Sequence, residues 1–597
     1  MPPAFFQHAR ADGFLPLEAY GVLGDGRTVA LVGADGSIDW WCVPNMDSPP
    51  LFDRLLDPDE GGYFLLEPEE LLSVEREYRD ASNVLQTTFR TATGVARVTE
   101  SLNSGHAGRL PWEELARRID GLEGAVAFRV RFRPGHQAGK VNPYVSEASM
   151  QRVFHVGRVL GVFIWSGGVA IDMETDRGLR GHFFVEQGDR EVLAIVAGRD
   201  EPLVVPSISD IDARIDISDA EWRRWSDEVR FTGPRREALV RHALSLKLLL
   251  YSPTGAIAAA GTTSLPEAIG GKKNYDYRFA WVRDAGYTIK AFLRVGAMAE
   301  AKAAFTWLIT RLRESEDDLF YTLRGDPPPD VEEVDVRGYR DSRPVVIGNR
   351  VTRQHQHGVF GDILETAARF VKGGNVLDAE TAATLSGLAD RCADTWRLPD
   401  SGIWELPEPR HYTMSKVSAW QALARAVDLA DGGHLPTTCR DRWARERDRI
   451  GHWVEEHCWS AAKDAFVFFP GSNELDASLA LAVRFGFDGH ERLRRTMLAI
   501  DRELAHGPFH YRYSSARGQE GCFLACTFWM AEAWKLLGDQ AKAEATLADA
   551  LAGLDGGPGT LAEMVDGDTG AWLGNLPQGL SHLAAVHAIV TVAGGEL

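Results

Sequence analysis

The chain is 597 residues long, which suggests about two to four domains. Its apolar content of 45% and charged content of 25% are those of a soluble globular protein. Its 65 basic and 85 acidic residues give a net charge of −20. An acidic surface repels phosphate backbones and anionic membranes, so the composition excludes nucleic acid and membrane as expected partners, whereas a neutral substrate is not repelled.

The N-terminal residues lack the basic start and apolar run of a signal peptide, and no apolar run is long enough to span a bilayer. The six cysteines show no spacing typical of a zinc ribbon or a redox C-x-x-C motif, and this usage fits a reducing compartment. Cys522 and Cys526 lie on one face of a predicted helix and are predicted to be buried thiols. We therefore expect a cytoplasmic protein.

From residue 14 to about residue 225 the sequence is typical of β structure. Short alternating segments, such as TVALVGADGSIDWWCV and AVAFRVRFRP, are rich in Val, Thr, Phe and Trp and are separated by Asp-Gly, Gly-Gly and Pro-Gly pairs. Many short strands without intervening helices predict an antiparallel β-sandwich of two sheets. We assign residues 1–225 to this domain.

The pattern changes to helical spacing near residue 210, and residues 226–255 are assigned to a helical linker and the first barrel helix. Helices are predicted at 235–250, 283–297, 300–313, 351–372, 378–395, 412–430, 437–458, 475–486, 489–504, 520–537, 540–553 and 578–593. Alternating apolar and amphipathic helices suit two concentric layers, so residues 256–597 are predicted to form an (α/α)6 barrel. An open α-solenoid is the alternative, but no fixed-period repeat supports it.

The segment NYDYRFAWVRD, residues 274–284, combines charged and aromatic side chains directly before a helix. This mixture suits a pocket for a neutral polyol, because carboxylates and guanidinium groups hold hydroxyl groups and aromatic faces cover the C–H faces of a sugar ring. Tyr275, Trp281, Arg283 and Asp284 are therefore candidate substrate-binding residues. The alternative is a buried ion pair at the start of a helix.

Two later loops place a glutamate between apolar residues: Glu405 in GIWELPEPRHYTMSK and Glu563 in LAEMVDGDTGAWLGNLPQGLSH. A glutamate that points inward loses solvation, which raises its pKa and makes it a proton donor near neutral pH, whereas one that points outward has no such role. Two carboxyl groups in one pocket are the minimum that glycoside hydrolysis requires. In the same loops Trp404 is a candidate for shaping a sugar subsite, and His411, beside Arg410, for a hydrogen bond to substrate.

The sequence contains neither a P-loop nor a dinucleotide-binding fingerprint. Its paired histidines lack a third residue at a spacing typical of a metal site. No metal and no cofactor are therefore predicted.

These motifs occur in the order typical of a known family. Together with YGVLGDGRTVALVGADGSIDWWCVPNMDSPPLFDRLL, GYRDSRPVVIGN, LDASLAL and EGCFLACTFWMAEAW, they make the chain resemble glycoside hydrolase family 15, the glucoamylase and trehalase-like family, over nearly its whole length. The resemblance implies a β-sandwich joined by a helical linker to an (α/α)6 barrel. It also implies an inverting exo-hydrolase that releases β-glucose from a non-reducing end.

The resemblance further implies residue roles. Glu405 matches the family's general acid, Glu563 its general base, and Arg283 with Asp284 the pair that grips the terminal glucose. The segment with Trp404, Arg410 and His411 matches the pocket-lining motif.

The sequence also departs from the family pattern. Leu406 stands where starch-cleaving members often have a second glutamate, Tyr275 replaces a common tryptophan, and Gly358 replaces an expected aspartate. We expect the substrate to be a small neutral carbohydrate, either trehalose or a short α-1,4- or α-1,6-linked gluco-oligosaccharide. A glycoside phosphorylase on a related scaffold and a non-catalytic sugar-binding protein are the alternatives, and a homo-oligomer is left open.

Overall fold

The computed structural model of the chain describes residues 4–5, 10–105, 109–137, 139–148, 151–314, 318–487 and 490–595. An N-terminal domain of antiparallel strands is followed by a helical domain, as the sequence predicts. The strands of the first domain are β1 (Ala4–Phe5), β2 (Tyr20–Gly24), β3 (Val29–Gly33), β4 (Ser37–Cys42), β5 (Pro50–Phe52), β6 (Tyr63–Pro68), β7 (Leu71–Tyr78), β8 (Leu85–Thr91), β9 (Gly94–Leu102), β10 (Glu113–Arg133), β11 (Tyr144–Ala148), β12 (Gln151–Val156), β13 (Val159–Trp165), β14 (Ala170–Thr175), β15 (Gly178–Glu186) and β16 (Arg190–Arg199).

The long strand β10 belongs to two sheets. Its first half pairs with β9 and β16, and its second half pairs with β6 and β15. The first sheet has the order β1-β7-β8-β9-β10-β16-β13-β12-β11, and the second joins β2, β3, β4, β5 and β6 to β10, β15 and β14. Phe163 of the first sheet meets Phe64 and Phe132 of the second at ring distances of 5.2 and 5.4 Å. The two sheets therefore face each other across an apolar core, as in a sandwich.

A linker helix follows the strands, and the helical domain begins after it. The helices are α1 (Ile208–Asp227), α2 (Arg236–Leu249), α3 (Val282–Val295), α4 (Met298–Glu314), α5 (Gly358–Lys372), α6 (Ala379–Thr395), α7 (Thr413–Asp431), α8 (Arg440–His457), α9 (Ala480–Phe485), α10 (His490–Leu504), α11 (Leu524–Leu536), α12 (Gln540–Gly553) and α13 (Gly579–Val592). Short strands lie in the loops of this domain at Leu250–Tyr251, Ala256–Ile257, Ala280–Trp281, Phe320–Tyr321, Glu332–Val334, Val345–Ile347, Trp459–Ser460, Ala465–Phe466, Ala505–His506, Phe509–His510, Cys522–Phe523, Met564–Val565 and Trp572–Leu573.

The linker helix α1 begins at Ile208, close to the predicted change to helical spacing near residue 210. Ser207 caps the helix by accepting a hydrogen bond from the amide of Asp210. Ile211 and Ile215 pack on the outer face of the sandwich. The last strand of the sandwich ends at Arg199, and residue 225 lies inside α1. The domain limits at residues 225 and 255 therefore stay a prediction.

The remaining helices form two layers. The inner helices α3, α5, α7, α9, α11 and α13 each pack against the next, and α13 packs against α3. The outer helices α2, α4, α6, α8, α10 and α12 cover them. Because the last inner helix contacts the first, the helices close into a ring, and the open solenoid is excluded.

All twelve helices predicted for the barrel are present, but α5, α9 and α11 begin four or more residues later than predicted. The helices α5 and α9 are preceded by 3₁₀ turns at Arg350–Arg353 and Ala477–Leu479, and α11 by the strand Cys522–Phe523. Cys522 and Cys526 therefore do not share a helix, although both are buried free thiols as predicted. Among the described helices, none is long and apolar enough to cross a membrane.

The sandwich braces the loops at one end of the barrel. Trp40 donates its indole N–H to the carbonyl of Gly261 at 2.9 Å, and Arg278 donates to the carbonyl of Ser48 at 2.9 Å. Gly261 and Arg278 belong to the long segment between α2 and α3, which enters the first inner helix. The first domain thus fixes the segment that carries the candidate substrate-binding residues.

Candidate active site

The candidate residues lie in loops that lead into inner helices. Residues 274–284, which we call the anchor segment, lead into α3. The loop that carries Glu405 precedes α7, and the segment that carries Glu563 precedes α13. In a closed ring these loop ends converge on the barrel axis, which is why positions far apart in sequence form one site. The contacts below show which side chains actually meet.

Arg283 links the first helix of this site to the Glu405 loop. Its Nη1 donates to Oε1 of Glu405 at 3.2 Å and to the carbonyl of Ile403 at 2.9 Å. Gln354 supports the same loop by donating to the carbonyl of Glu405 at 3.0 Å. The backbone φ of Glu405 is 57°, a left-handed conformation that costs energy in a residue other than glycine and is typical of functional positions. The Glu405 carboxyl group is thus held in a fixed place by a cation.

Asp284 lies behind Arg283, with Oδ2 3.3 Å from the Arg283 Nε. It is buried, and burial raises the pKa of its carboxyl group, while the adjacent guanidinium opposes that shift. Oδ2 forms no hydrogen bond. This oxygen can therefore accept a hydrogen bond from a hydroxyl group of a substrate.

Glu563 is the most desolvated of the candidate carboxyl groups, with 2% of its surface exposed. Burial first, and then the neighbouring negative charge of Glu267, raises the pKa of Glu563 well above its usual range, against opposition from Arg512 and the amide of Asn575. Its Oε2 has no hydrogen-bond partner. Gly574 has a φ of 73° and lies so close that a Cβ there would be 2.5 Å from this oxygen, so only glycine fits.

The two glutamates share neighbours. Tyr277 is partly buried and Tyr275 is 39% exposed at the surface, and their rings lie 6.0 Å apart. Burial raises the pKa of both phenols, and the charges of Glu405 and Glu563 both add to each shift. Each carboxylate is therefore close enough to both phenols to affect them, and the two glutamates lie in one region.

Trp281 lies behind Tyr277. Its ring is 1% exposed, stacks on Phe320 at 4.6 Å and meets Tyr277 edge-on at 5.4 Å. It supports the Tyr277 ring from beneath, and a direct contact between Trp281 and a sugar stays a prediction.

Trp404 is anchored by a residue that the sequence analysis did not select. Its indole N–H donates to Oδ1 of Asp476 at 2.9 Å, and its ring packs against Phe523 and Trp529. Asp476 also accepts hydrogen bonds from the amide and hydroxyl of Ser478. Burial raises the pKa of Asp476 to about 6. The motif LDASLAL contains this aspartate, but nothing in it indicates a partner in the Glu405 loop.

Arg410 and His411 lie farther from the two glutamates. Arg410 is 46% exposed, pairs with Glu408 at 2.5 Å and lies over the Phe469 ring at 4.6 Å. His411 lies against Trp453 of the outer helix α8, and burial together with nearby Lys416 lowers its pKa. Their assignment as substrate contacts stays a prediction.

A buried ionic network beside Glu563 was also missed. Arg512 donates to Oε2 of Glu267 at 2.7 Å and to both oxygens of Glu520 at 2.5 Å, and Lys273 forms an ion pair with Glu520. The Arg512 guanidinium lies 5.4 Å from the centre of the Trp404 ring. These residues come from distant segments, so no local pattern identifies them, although Glu520 opens the EGCF motif.

The sequence analysis expected an inward-pointing glutamate to be desolvated. Glu563 is 2% exposed, whereas the Glu405 side chain is 14% exposed and forms an ion pair with Arg283. Within the described ranges, no group of three or more His, Cys, Asp and Glu side chains is placed to hold a metal ion.

The comparisons with known proteins agree with this architecture. Residues 233–546 match the family model "Glycosyl hydrolases family 15", and residues 9–204 match "Trehalase-like, N-terminal". The chain is 30% identical to a protein named trehalase from Thermoplasma volcanium, covering 96% of this chain and 93% of that protein. It is likewise 30% identical to a trehalase from Mycobacterium tuberculosis, covering 98% and 90%.

A solved structure shows the same fold. The crystal structure of a bacterial glucoamylase complexed with acarbose superimposes with a TM-score of 0.69 at 13% identity, over 99% of this chain and 97% of the other. Because the family model spans the core of the barrel and the relatives match almost from end to end, the protein belongs to glycosyl hydrolase family 15 and is a glycoside hydrolase.

Proposed function

We propose that the protein hydrolyses trehalose with inversion, releasing one molecule of β-glucose and one of α-glucose. Curated relatives that match nearly the whole chain are named trehalase, including one from Thermoplasma acidophilum at 31% identity. The observation that carries the chemistry is that the charges of Glu405 and Glu563 both raise the pKa of the same two phenols, Tyr275 and Tyr277, so both carboxyl groups lie near these rings. Two carboxyl groups in one site are what hydrolysis of a glycosidic bond requires.

Glu405 is assigned as the general acid. It donates a proton to the glycosidic oxygen as the bond to the anomeric carbon breaks. Glu563 is assigned as the general base, because its Oε2 lacks a partner and is free to accept a hydrogen bond from a water molecule. A raised pKa makes its carboxylate a stronger base once it is ionised. Water attacks the anomeric carbon from the opposite face, for which the two carboxyl groups must lie about 6.5–9.5 Å apart.

The remaining site residues are assigned to substrate. Arg283 and Asp284 hold hydroxyl groups of the glucose unit whose anomeric carbon reacts, and Tyr275 and Trp404 bound it with their rings. Leu406, directly after the acid, makes the leaving-group side less polar than a second glutamate would, and this favours a short substrate over starch. Trp281, Arg410 and His411 are further proposed substrate contacts.

Glucose release from trehalose, maltose, isomaltose, longer oligosaccharides and soluble starch tests the proposal. Proton NMR during the first turnovers identifies the anomer. β-Glucose and α-glucose in equal amounts from trehalose support inversion on the proposed substrate. Release from oligosaccharides alone would replace trehalose with a glucoamylase-type substrate, and turnover that requires phosphate would indicate a phosphorylase. Binding of sugars without turnover would indicate a binding protein.

We also propose that the protein acts in the cytoplasm on a small neutral carbohydrate, without nucleic-acid or membrane partners. The net charge of −20 supports this, because anionic polymers and surfaces are repelled. The sandwich is proposed to end at residue 225 and the helical linker with the first barrel helix at residue 255. These limits can guide separate expression of the sandwich. Light scattering after size-exclusion chromatography measures the oligomeric state.

A further inference from the structure

The network beside Glu563 contains more carboxyl groups than cations. Glu267, Glu520 and Glu563 lie around Arg512 and Lys273, so three acidic groups share two positive charges in a buried region. Glu267 is 1% exposed and Glu563 2%. Burying an uncompensated charge is costly, so a region like this holds a proton in preference to a third negative charge.

The contacts show which carboxyl group is paired most closely with Arg512 and Lys273. Glu520 accepts from Arg512 through both oxygens at 2.5 Å and also pairs with Lys273. These contacts outweigh its burial, and the pKa of Glu520 is lowered. Glu520 is therefore the ionised member of the network.

Glu267 is placed differently. It receives one N–H of Arg512 on Oε2 at 2.7 Å, while its Oε1 has no hydrogen-bond partner. The same Nη2 of Arg512 donates to Oε2 of Glu267 at 2.7 Å and to Oε2 of Glu520 at 2.5 Å, so the two carboxyl groups lie close together, and two ionised carboxylates so placed repel each other. A proton on Glu267 gives Glu520 a donor and removes the repulsion. Burial and the negative charge of Glu520 accordingly raise the pKa of Glu267 to about 7, although Arg512 opposes the shift.

We propose that Glu267 is a positioning residue that retains a proton on its carboxyl group, so that the neighbouring Glu563 can be ionised when water is activated. This inference rests on the proposed role of Glu563 as the base. Glu267 and Glu563 flank the small sheet formed by Cys522–Phe523 and Met564–Val565: the carbonyl of Glu267 accepts from Gly521 at 2.9 Å, and that of Glu563 from Leu524 at 3.2 Å. A neutral Glu267 removes one negative charge from beside Glu563.

The other ionisable groups that face the two glutamates are consistent with this assignment. Tyr275 and Tyr277 are uncharged phenols, since burial and the surrounding carboxylates raise the pKa of both. Glu405 lies beyond them and is paired with Arg283. The proton therefore resides on Glu267 or Glu563, and the contact to Glu520 favours Glu267.

The test compares Glu267→Gln with Glu520→Gln in the full-length enzyme. Glutamine reproduces a protonated Glu267, because its Oε1 accepts from Arg512 and its amide donates to Glu520. We expect E267Q to keep kcat/KM within about threefold of wild type near pH 5. We expect the wild-type rate profile to show an ionisation at about pH 7 and the E267Q profile to lack it. E520Q removes an ionised partner of two cations and is expected to lower both Tm and kcat/KM.

Thermal unfolding supplies a readout without substrate. A carboxyl group whose pKa is higher in the folded protein than in the unfolded chain loses stabilising effect as the pH rises from the unfolded value of 4.5 through the folded value of about 7. The Tm of wild type should therefore fall over this range relative to E267Q. If E267Q instead loses Tm and kcat/KM as E520Q does, with an unchanged pH profile, Glu267 is ionised and the proposal is wrong.

The two proposals fail in different ways. Absence of glucose release from wild type would remove the proposed function, while a Tm difference between wild type and E267Q that depends on pH would still establish the protonated Glu267. Glucose release together with identical pH dependence of Tm would keep the function and remove the role of Glu267.

Discussion

Arg283 donates to Oε1 of Glu405 at 3.2 Å, and the same Nη1 atom donates to the carbonyl two residues before it. The guanidinium group therefore fixes both the carboxyl group of the proposed acid and the backbone that carries it. Since Arg283 is at the start of an inner helix, the position of Glu405 is set by the barrel and not by its own loop.

Replacing Arg283 with lysine tests this relationship. A lysine carries the charge but only one donor group on a flexible stem, so it does not reproduce the fixed fork of the guanidinium. We expect R283K to lose about 10²-fold in kcat/KM, because small displacements of a catalytic group cost that much. Steady-state kinetics with trehalose measures it. Arg350 is 73% exposed and pairs with Glu333, so R350K is the matched control and should be unchanged.

Glu563→Gln separates catalysis from stability. The proposed base is lost, so turnover should fall about 10²–10⁴-fold. Burial raises the pKa of Glu563, so its charged form is the less stable one in the fold, and stability is lost as the pH rises through the folded pKa. E563Q should therefore have a Tm at least equal to that of wild type near pH 8.

The control for that comparison is Glu380→Gln, because the Glu380 side chain is 83% exposed. It should change neither turnover nor the pH dependence of Tm. A marked loss of Tm in E563Q at every pH would contradict the desolvated position of Glu563, and wild-type turnover would end its assignment as the base.

Asp476→Ala tests the anchor of Trp404. The substitution leaves the buried indole N–H without its acceptor, which costs about 1–3 kcal/mol of unfolding free energy. Because Trp404 directly precedes Glu405, kcat should fall as well. Asp476→Asn retains a carbonyl oxygen for the indole and should lose less than D476A in both quantities. Equal losses in the two variants would show that the aspartate charge matters and the hydrogen bond to Trp404 does not.

The anchor segment shows how much of the candidate site could be predicted from the sequence. Asp276 and Arg278 form a buried ion pair at 2.7 Å, which is the alternative reading of the charges in this segment. Arg283 and Asp284 form a second ion pair at 3.3 Å, and Arg283 also contacts Glu405, while their role in binding substrate stays a prediction. The spacing predicts charges before a helix, but it does not reveal that Arg278 donates a hydrogen bond to the sandwich.

Local periodicity was sufficient for most of the barrel, because inner helices such as α7, α11 and α13 are buried along most of their length and have 13 to 19 residues. It failed where a partner is distant in sequence. Glu267 and Arg512 meet only because the ring closes, and no spacing within either segment encodes that contact. The limits of α1 were not predicted for a related reason: its first turns are rich in Ser and Asp, and a few apolar residues, among them Ile208, Ile211 and Ile215, pack on the sandwich.

Arg278→Met tests the contact between the domains. It leaves Asp276 buried with an uncompensated charge and the Ser48 carbonyl without its donor, so we expect a loss of about 3–5 kcal/mol in unfolding free energy. Urea unfolding followed by tryptophan fluorescence measures it. Arg343 and Asp335 form an exposed pair at 3.1 Å, and R343M should cost no more than about 1 kcal/mol.

The same variant also shows whether the sandwich supports catalysis. Ser48 lies in the first domain, and Arg278 is five residues before Arg283, so loss of their hydrogen bond should loosen the segment that enters α3. We expect kcat/KM of R278M to fall at temperatures where the protein is still folded, because Arg283 positions Glu405. Wild-type kinetics in a folded but destabilised R278M would mean that the sandwich contributes stability alone, and that the barrel by itself places Arg283.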